Sequence, residues 1–182
     1  MKILVLGSGG LVGSSLARVL GQNKKYKIHP STRKDTNLFI KDETEKLIND
    51  VNPNLIINAA AKVGGIVANN TNRTEFILEN LKININLLES IIPHKDIKLI
   101  NLGSSCIYPL DSPNPISEDN LMNGKLEPTN SPYAMAKLTA IEMGDALSQQ
   151  YGHSIINLMP TNLYGPNDNF SETSSHVIPG LI

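Results

Sequence analysis

A glycine-rich loop near the start of the chain has the residue types and spacing to bind a pyrophosphate. Gly7, Gly10 and Gly13 are spaced three residues apart, directly after the apolar run Lys2–Leu6 and at the start of a helical pattern. Glycine permits a tight turn and a close approach of the backbone, and a helix N-terminus supplies N–H donors with partial positive charge. Because a strand precedes the loop and a helix follows it, the pattern favours a dinucleotide-binding turn over a turn without a ligand.

Residues 31–35 lie where the adenosine ribose of such a dinucleotide is read, about 20 positions past the last glycine. An acid here would accept a hydrogen bond from the 2′-hydroxyl of NAD, whereas Arg33 with Lys34 suits the 2′-phosphate of NADP. Asp35 could be a solvated loop acid, and Arg33 could be an ordinary surface arginine. The window favours NADP.

Tyr133 and Lys137 lie four positions apart and share one face of a predicted helix. A free tyrosine has a pKa of about 10, too high for proton exchange at neutral pH. A neighbouring ammonium, together with a cationic nicotinamide, lowers that pKa, and the lysine can also bind the nicotinamide ribose. This spacing is common on solvated helix faces, but after a dinucleotide loop it predicts a proton-exchanging tyrosine.

Two serines and the single cysteine follow the fourth predicted strand, Lys98–Leu102. Ligands of open parallel sheets lie beyond the carboxyl ends of the strands, so Ser104 is placed to bind a substrate oxygen. Ser105 could instead be a cap or turn serine. Cys106 could be a small buried hydrophobe or a thiol that acts as a base, and the residue types leave both open.

The elements that must position these residues alternate regularly along the chain. Alternation of strand and helix predicts an α/β fold, a doubly wound parallel sheet of the Rossmann type, in one domain over 1–182. Long polar loops over 103–131 and 160–174 indicate functional segments. We predict strands at Lys2–Leu6, 26–29, Leu55–Asn58, Lys98–Leu102 and 154–159, and helices over 11–20, 42–51, 74–92 and 132–151.

The composition excludes several classes of protein. With 182 residues, 40% hydrophobic and 18% charged, the chain is neither disordered nor a coiled coil. Sixteen basic and seventeen acidic residues leave no basic excess for nucleic acid. One cysteine allows neither an internal disulfide nor a thiolate zinc site, which favours the cytoplasm and no metal. The apolar runs are strand-sized, so neither a membrane span nor a signal peptide is expected.

Several longer strings make the chain recognisable. They are A-A-K-V-G-G-I at 60–66 with A-N-N at 68–70, L-G-S-S-C-I-Y-P at 102–109, L-E-P-T-N at 126–130, P-T-N-L-Y-G-P at 160–166, and N-D-N-F at 167–170 running on to S-H-V-I-P at 175–179. On these strings, the glycine loop and Tyr133 with Lys137, the chain resembles the extended short-chain dehydrogenase/reductases, and within them the GDP-L-fucose synthase subfamily. The resemblance covers nearly the whole chain.

The resemblance implies a role for each candidate residue. Tyr133 would donate the proton in ketone reduction, with Lys137 as its helper and Ser104 as the anchor of the substrate oxygen. Cys106 and His176 would be the base and the acid of an epimerisation, although His176 by itself would be interpreted as a surface histidine. The NADP site would be lined by Gly7, Gly10, Gly13, Arg33, Leu102, Gly103, Ser104, Ser105, Lys137, Pro160, Thr161, Asn162, Leu163 and His176.

The implied reaction is the NADPH-dependent 3,5-epimerisation and 4-reduction of GDP-4-keto-6-deoxy-D-mannose to GDP-L-fucose. The protons at C3 and C5 are both alpha to the C4 ketone, so one carbonyl makes both carbons acidic and then accepts a hydride. The resemblance also implies a substrate domain beyond residue 182. Because the helix over 132–151 is apolar nearly all round, we expect a homodimer through this helix and the helix over 74–92. The resemblance implies that the two helix pairs form a four-helix interface.

Two other functions stay open. A related nucleotide-sugar epimerase or dehydratase would keep NAD bound and regenerate it, and stoichiometric consumption of NADPH separates it from the first hypothesis. A non-enzymatic or truncated, inactive dinucleotide-binding module would fit a chain that ends before the family's C-terminal domain. The intact set of Ser104, Tyr133 and Lys137 argues against this last hypothesis.

Overall fold

Five parallel strands form one sheet in the structure, a computed structural model that describes residues 1–171 and 175–181. The spatial order is β2-β1-β3-β4-β5, so the chain reverses its direction of winding between β1 and β3, where ligands of such sheets bind. Every neighbouring pair runs parallel. The strands are β1 Lys2–Leu6, β2 Lys27–Ser31, β3 Leu55–Asn58, β4 Lys98–Leu102 and β5 Ile155–Leu158.

Helices connect the strands and cover both faces of the sheet. Helix α2 ends at Asn52 and α5 at Gly152, each in the left-handed conformation that stops a helix. None of the helices in the described part of the chain is both long and apolar enough to cross a membrane. The helices are α1 Leu11–Gly21, α2 Lys41–Val51, α3 Ile66–Thr71, α4 Arg73–Ile91 and α5 Ser131–Tyr151.

Side chains of alternate strand positions build a core on each side of the sheet. Ile3, Val5 and Ile57 pack against α1 on one side. On the other side Leu4, Leu6, Ile56 and Leu99 pack against Ile48 of α2 and Leu87, Leu88 and Ile91 of α4. Each fully buried aliphatic side chain contributes roughly 1.5–3 kcal/mol, so the two layers fix the strand ends relative to one another. The predicted doubly wound parallel sheet is confirmed.

Predicted and observed boundaries differ by one or two residues at most. The largest difference is at β2, which continues past Pro30 to Ser31 because it is an edge strand, where a proline is tolerated. The predicted loop over 103–131 contains two short 3₁₀ turns, Ser105–Ile107 and Glu118–Asn120. Positions 172–174 of the predicted loop over 160–174, and position 182, lie outside the described residues.

Helix α3 is an element that no sequence pattern predicts. It has six residues, too few to show an apolar period, and it begins directly after Gly64 and Gly65. Its conformation depends on Asn69, whose buried side-chain amide donates to the carbonyl oxygens of Gly64 (2.6 Å) and Gly65 (3.1 Å). These two hydrogen bonds close the turn, and helix propensities along the chain would not predict them.

Candidate active site

A cavity of about 840 Å³ runs along the carboxyl ends of all five strands. Its walls come from the segment that follows each strand, which explains why the predicted site residues are far apart in sequence. Of the fourteen residues predicted to line a dinucleotide site, twelve line it. They are Gly7, Gly10, Arg33, Leu102, Gly103, Ser104, Lys137, Pro160, Thr161, Asn162, Leu163 and His176.

The glycine loop is shaped by close backbone contacts that exclude side chains. Gly7 has φ +72°, and a Cβ there would lie 2.7 Å from the Cα of Ala60. A Cβ at Gly13 would lie 2.2 Å from the carbonyl oxygen of Gly7, so Gly13 packs behind the loop and does not line the cavity. Gly10 precedes α1 in an extended conformation, and within the described chain no side chain caps that helix. The loop therefore offers its helix N-terminus to the cavity, as the sequence predicts.

In the turn after β2, the basic and the acidic candidates for binding the adenosine ribose have different positions relative to the cavity. The carboxylate of Asp35 accepts hydrogen bonds from the amide (2.8 Å) and the hydroxyl (2.7 Å) of Thr32, and these bonds hold the pKa of Asp35 below its usual range. Arg33 and Lys34 line the cavity, while Asp35 does not. The guanidinium of Arg33 lies 4.8 Å from the ring centroid of Phe39. This turn presents cations rather than a carboxylate to the cavity.

Tyr133 and Lys137 lie on one face of the first turns of α5, both at the cavity wall. Lys137 is 4% exposed, and its ammonium donates to the carbonyl oxygen of Leu102 at 2.7 Å. Its Nζ lies 5.7 Å from the ring centroid of Tyr133. Burial lowers the pKa of Lys137 to about 8. The lysine thus ties α5 to the end of β4 and lies beside the tyrosine ring.

The pKa of Tyr133 is raised, not lowered. Burial is the largest cause and the neighbouring Cys106 thiol the second, while a hydrogen bond with Ser104 opposes them. The lowering of this pKa that the sequence predicts from Lys137 and a cationic nicotinamide does not occur in the chain by itself, where Lys137 does not contribute to the shift. It stays a prediction for a state in which a cationic ring lies beside the hydroxyl.

Ser104 connects the tyrosine to the cysteine. Its hydroxyl hydrogen-bonds with the side chains of both Tyr133 and Cys106, and its Oγ accepts from the backbone N–H of Cys106 at 3.4 Å. This last bond makes Ser104, not Ser105, the cap of the 3₁₀ turn Ser105–Ile107. Ser105 does not line the cavity, and its amide donates to the carbonyl oxygen of Pro160 at 3.3 Å.

Cys106 and His176 are in different surroundings. Burial raises the pKa of the Cys106 thiol, although the hydrogen bond with Ser104 and the charge of Lys137 oppose this. Cys106 is half-buried beside Ser104 and does not line the cavity. His176 is exposed and lines it. The roles of base and acid stay predictions for both residues.

The segment after β3 is a part of the site that sequence reasoning missed. Residues 59–64 line the cavity, together with Asn69 and Glu79, and none of them was assigned a role. The side chains of Lys62 and Glu79 form an ion pair with a distance of 3.2 Å between Nζ and Oε1. The available signal was the run of small residues at 59–61, directly after a strand whose carboxyl end faces the ligand edge of the sheet.

The glycine loop, the switch point and the Tyr133–Lys137 pair line one continuous cavity. The model of the NAD dependent epimerase/dehydratase family matches residues 3–182. The chain belongs to this family.

Several curated relatives are similar to this chain. GDP-L-fucose synthase from Escherichia coli (strain K12) is 41% identical over 181 residues, which are 100% of this chain and 56% of that protein. GDP-L-fucose synthase 1 from Arabidopsis thaliana is 45% identical over 181 residues, again 100% of this chain and 56% of that protein. The chain therefore spans a little over half the length of these relatives.

Solved structures of other proteins superpose on most of the chain. A GDP-L-fucose synthetase from Naegleria fowleri bound to NADP has a TM-score of 0.88 at 31% identity, over 99% of this chain and 59% of that one. UDP-glucose 4-epimerase from Thermus thermophilus, in complex with NAD, has a TM-score of 0.80 at 21% identity, over 93% and 58%. At that identity the second likeness supports the fold alone.

Proposed function

We propose that the protein to which this chain belongs catalyses the NADPH-dependent 3,5-epimerisation and 4-reduction of GDP-4-keto-6-deoxy-D-mannose. The observation that carries the proposal is the group Ser104, Tyr133 and Lys137 at the wall of a cavity that also includes the glycine loop and Arg33. The relatives named GDP-L-fucose synthase, at 41% and 45% identity over 181 residues, support the choice of substrate.

The residues present fit NADP. Gly7 and Gly10 give the pyrophosphate close access to the backbone at the start of α1, and Arg33 with Lys34 would face the 2′-phosphate. Lys137 would hold the nicotinamide ribose. When bound, NADPH supplies the hydride that reduces the C4 ketone. The solved Naegleria fowleri relative bound to NADP supports this assignment.

Tyr133 is suited to donate a proton to the reduced oxygen. Burial raises the pKa of its hydroxyl, so the proton is retained at neutral pH until negative charge develops on the substrate oxygen. Ser104 orients that hydroxyl and would donate its own hydrogen bond to the same oxygen. Tyr133 would give its proton to the C4 oxygen as negative charge develops there, and Lys137 would stabilise the tyrosinate that forms.

Epimerisation needs a base and an acid near the same carbonyl. We assign the base to Cys106, which would remove one proton from C3 and one from C5, and the acid to His176, which would return one proton to each carbon on the opposite face. The hydrogen bond from Ser104 and the charge of Lys137 both favour the thiolate of Cys106, against the effect of burial. In this scheme Ser104 serves both steps.

Two further assignments complete the proposal. The assembly would be a homodimer through α4 and α5, and its support is the exposure of Leu78, Ile85 and Met135 on these helices. The compartment would be the cytoplasm, which the single free Cys106 supports.

The test is to supply the purified complete gene product with GDP-4-keto-6-deoxy-D-mannose and NADPH. We expect one NADPH oxidised per GDP-L-fucose formed, followed by absorbance and by NMR of the product. Tyr133→Phe keeps the ring, so it should abolish reduction while the affinity for NADPH stays nearly the same. Turnover without consumption of NADPH, by a protein that retains bound NAD, would favour the epimerase or dehydratase hypothesis instead.

A further inference from the structure

We propose that Arg73 of α4 is a positioning residue that fixes the first turn of α5, and with it the hydroxyl of Tyr133, at the wall of the cavity. The inference rests on the proposed function, because it concerns the step in which Tyr133 gives its proton to the C4 oxygen. Arg73 itself does not line the cavity and would act through the segment 127–131, which leads into α5.

The guanidinium of Arg73 bonds to the segment 127–131 from a separate helix. Nη1 donates to the carbonyl oxygen of Pro128 at 2.8 Å, and Nη2 donates to Oγ of Ser131 at 3.2 Å. A longer contact of 3.5 Å joins Nη1 to the carbonyl oxygen of Thr129. Because a guanidinium is planar and holds its donors in a fixed fork, bonds from two of its nitrogens define the orientation of the segment as well as its distance from α4.

The start of α5 lacks a side-chain cap that would fix it locally. Its N-cap residue, Asn130, makes no capping hydrogen bond, and Oδ1 of Asn130 is buried without a partner among the described residues. The turn before the helix is instead closed by Glu127, whose carboxylate accepts from the amides of Thr129 at 3.0 Å and Asn130 at 3.2 Å. Because these bonds stay within the turn, the link from this turn to another helix comes from Arg73.

The charges of Glu127 and Arg73 support one another on this turn. Hydrogen bonds from Thr129 hold the pKa of the Glu127 carboxyl below its usual range, and the charge of Arg73 adds to this lowering. The carboxylate is therefore ionised at neutral pH, where the guanidinium is charged as well. Charge-assisted hydrogen bonds consequently reach the turn both from Glu127 within it and from α4 beside it.

The same face of α4 contacts the tyrosine one turn further on. Phe76, three residues after Arg73, is 2% exposed and packs edge-on against Tyr133, with 6.3 Å between ring centroids. Tyr133 lies two residues after Ser131, so α4 contacts the first turn of α5 at both positions. Because the Tyr133 hydroxyl also bonds with Ser104 at the end of β4, a displacement of this turn would move the hydroxyl away from the oxygen that it protonates.

The experiment compares Arg73→Met with Arg18→Met in the complete gene product. Methionine keeps most of the apolar stem of arginine and removes the guanidinium. Arg18 is a matched control because it is also an exposed helical arginine, but its guanidinium donates to Ser15 of its own helix, α1.

Four quantities are measured for each variant. The first is the exchange of backbone amides in a peptide over 127–135, followed by mass spectrometry. The second is the single-turnover rate of NADPH oxidation after NADPH is mixed with enzyme already incubated with the keto sugar. The third is the uptake of deuterium at C3 and C5 without NADPH, and the fourth is the Kd of NADPH from its fluorescence.

We expect Arg73→Met to accelerate amide exchange over 127–135 and to slow NADPH oxidation by about tenfold, because reduction needs the proton of Tyr133 in place. Deuterium uptake and the Kd of NADPH should stay within about twofold of the parent, since neither depends on that proton. Arg18→Met should resemble the parent in all four quantities.

Three results would overturn the proposal. The first is parent-like exchange and oxidation in Arg73→Met. The second is an equal slowing of oxidation in both variants. The third is an equal loss of oxidation and of deuterium uptake in Arg73→Met, which would indicate a merely structural role.

A second variant tests the same link from α5. Ser131→Ala removes the Oγ that accepts from Nη2 and leaves the carbonyl oxygen of Pro128, so we expect a smaller change in the same direction. In the double variant with Arg73→Met, the slowing should be less than the product of the two single effects, because both remove one bond. A slowing equal to that product would contradict a direct link.

The exchange measurement needs no ligand, so it separates this proposal from the proposed function. If the parent does not oxidise NADPH with this sugar, the proposed function fails. Faster exchange over 127–135 in Arg73→Met would still support Arg73 as the residue that fixes the start of α5, and unchanged exchange would overturn it.

Discussion

At the scale of single residues, the site is a small group of titratable side chains whose proton affinities burial has changed. Burial raises the pKa of Tyr133 and of Cys106 and lowers that of Lys137 to about 8. Each shift favours the neutral form of its group. The chain by itself therefore holds two proton donors beside a lysine whose charge is easily lost.

Lys137 makes opposing contributions to stability and to activity. Between about pH 8 and its ordinary pKa of about 10.5, the unfolded lysine binds a proton that the folded one does not, so folding stability rises with pH across this window. Below pH 8 the full cost of the buried charge is present. Lys137→Met should therefore stabilise the fold at pH 7 by about 1–3 kcal/mol, after the loss of the hydrogen bond to Leu102, while it abolishes reduction.

Chemical denaturation at pH 7 and at pH 10 measures this effect. The gain in the free energy of unfolding for Lys137→Met should shrink at the higher pH. A gain of the same size at both values, or a loss at pH 7, would mean that the burial of Lys137 does not disfavour its charged form.

Cys106 is tested by separating proton exchange from hydride transfer. Serine is nearly isosteric with cysteine but much less acidic. Cys106→Ser should therefore suppress the uptake of deuterium from heavy water at C3 and C5 of the keto sugar far more than it suppresses NADPH oxidation. The variant should reduce the unepimerised sugar slowly, giving a 6-deoxyhexose other than fucose. Exchange at the parent rate would make Cys106 a packing residue, with His176 the next candidate for the base.

At the scale of elements, the site depends on the turns that follow the strands. In the turn after β2, the Asp35 carboxylate accepts hydrogen bonds from Thr32 and so does not face the cavity. Arg33 and Lys34 line the cavity instead. The turn after β1 has room for glycine alone at Gly7 and Gly13. Local geometry of this kind decides which charge and which backbone groups a ligand meets.

The turn after β2 gives a prediction about the choice of cofactor. Arg33→Ala should weaken the binding of NADPH at least tenfold and that of NADH much less, because a charge-assisted bond to the 2′-phosphate contributes roughly 1.5–3 kcal/mol. Titration of both dinucleotides by fluorescence measures the difference. Equal losses for the two cofactors would show that Arg33 acts through its packing on Phe39 rather than through the phosphate.

At the scale of the whole molecule, α4 and α5 lie side by side and leave apolar residues on their outer surface. Most of the apolar side chains of α5 are buried within the chain, by α4, the sheet and the loop residues Ile107, Leu121 and Leu126. The apolar character of α5 is therefore accounted for largely inside one subunit. What supports a dimer is the smaller set of Leu78, Ile85 and Met135.

The dimer is tested by charge substitution on this surface. Leu78→Glu with Ile85→Glu should convert a dimer of the complete gene product into a monomer in sedimentation at micromolar concentration, because each carboxylate would be desolvated in the interface. Val19→Glu is the control, since Val19 is also half exposed but lies on α1, across the sheet. A parent protein that sediments as a single monomeric species would contradict the interface.

What the sequence by itself determined is what depends on neighbours along the chain. The alternation of apolar runs and helical patterns was enough to predict the parallel sheet, because burial on two faces selects strands of that composition. The three-residue glycine spacing and the four-residue spacing of Tyr133 and Lys137 likewise placed both ends of the site, since a turn and a helix face are local geometry.

Only the tertiary structure decided what depends on contacts through space. The hydrogen bonds between Asn80 and Lys62 join positions 18 residues apart, and neither residue type indicates a partner at that distance along the chain. The pKa of Tyr133 is raised in the chain by itself, because burial and, after it, the charge of Cys106 outweigh the hydrogen bond with Ser104. Gly13 and Ser105 turned out to shape the site from behind its wall, since packing direction follows from the assembled fold and not from spacing.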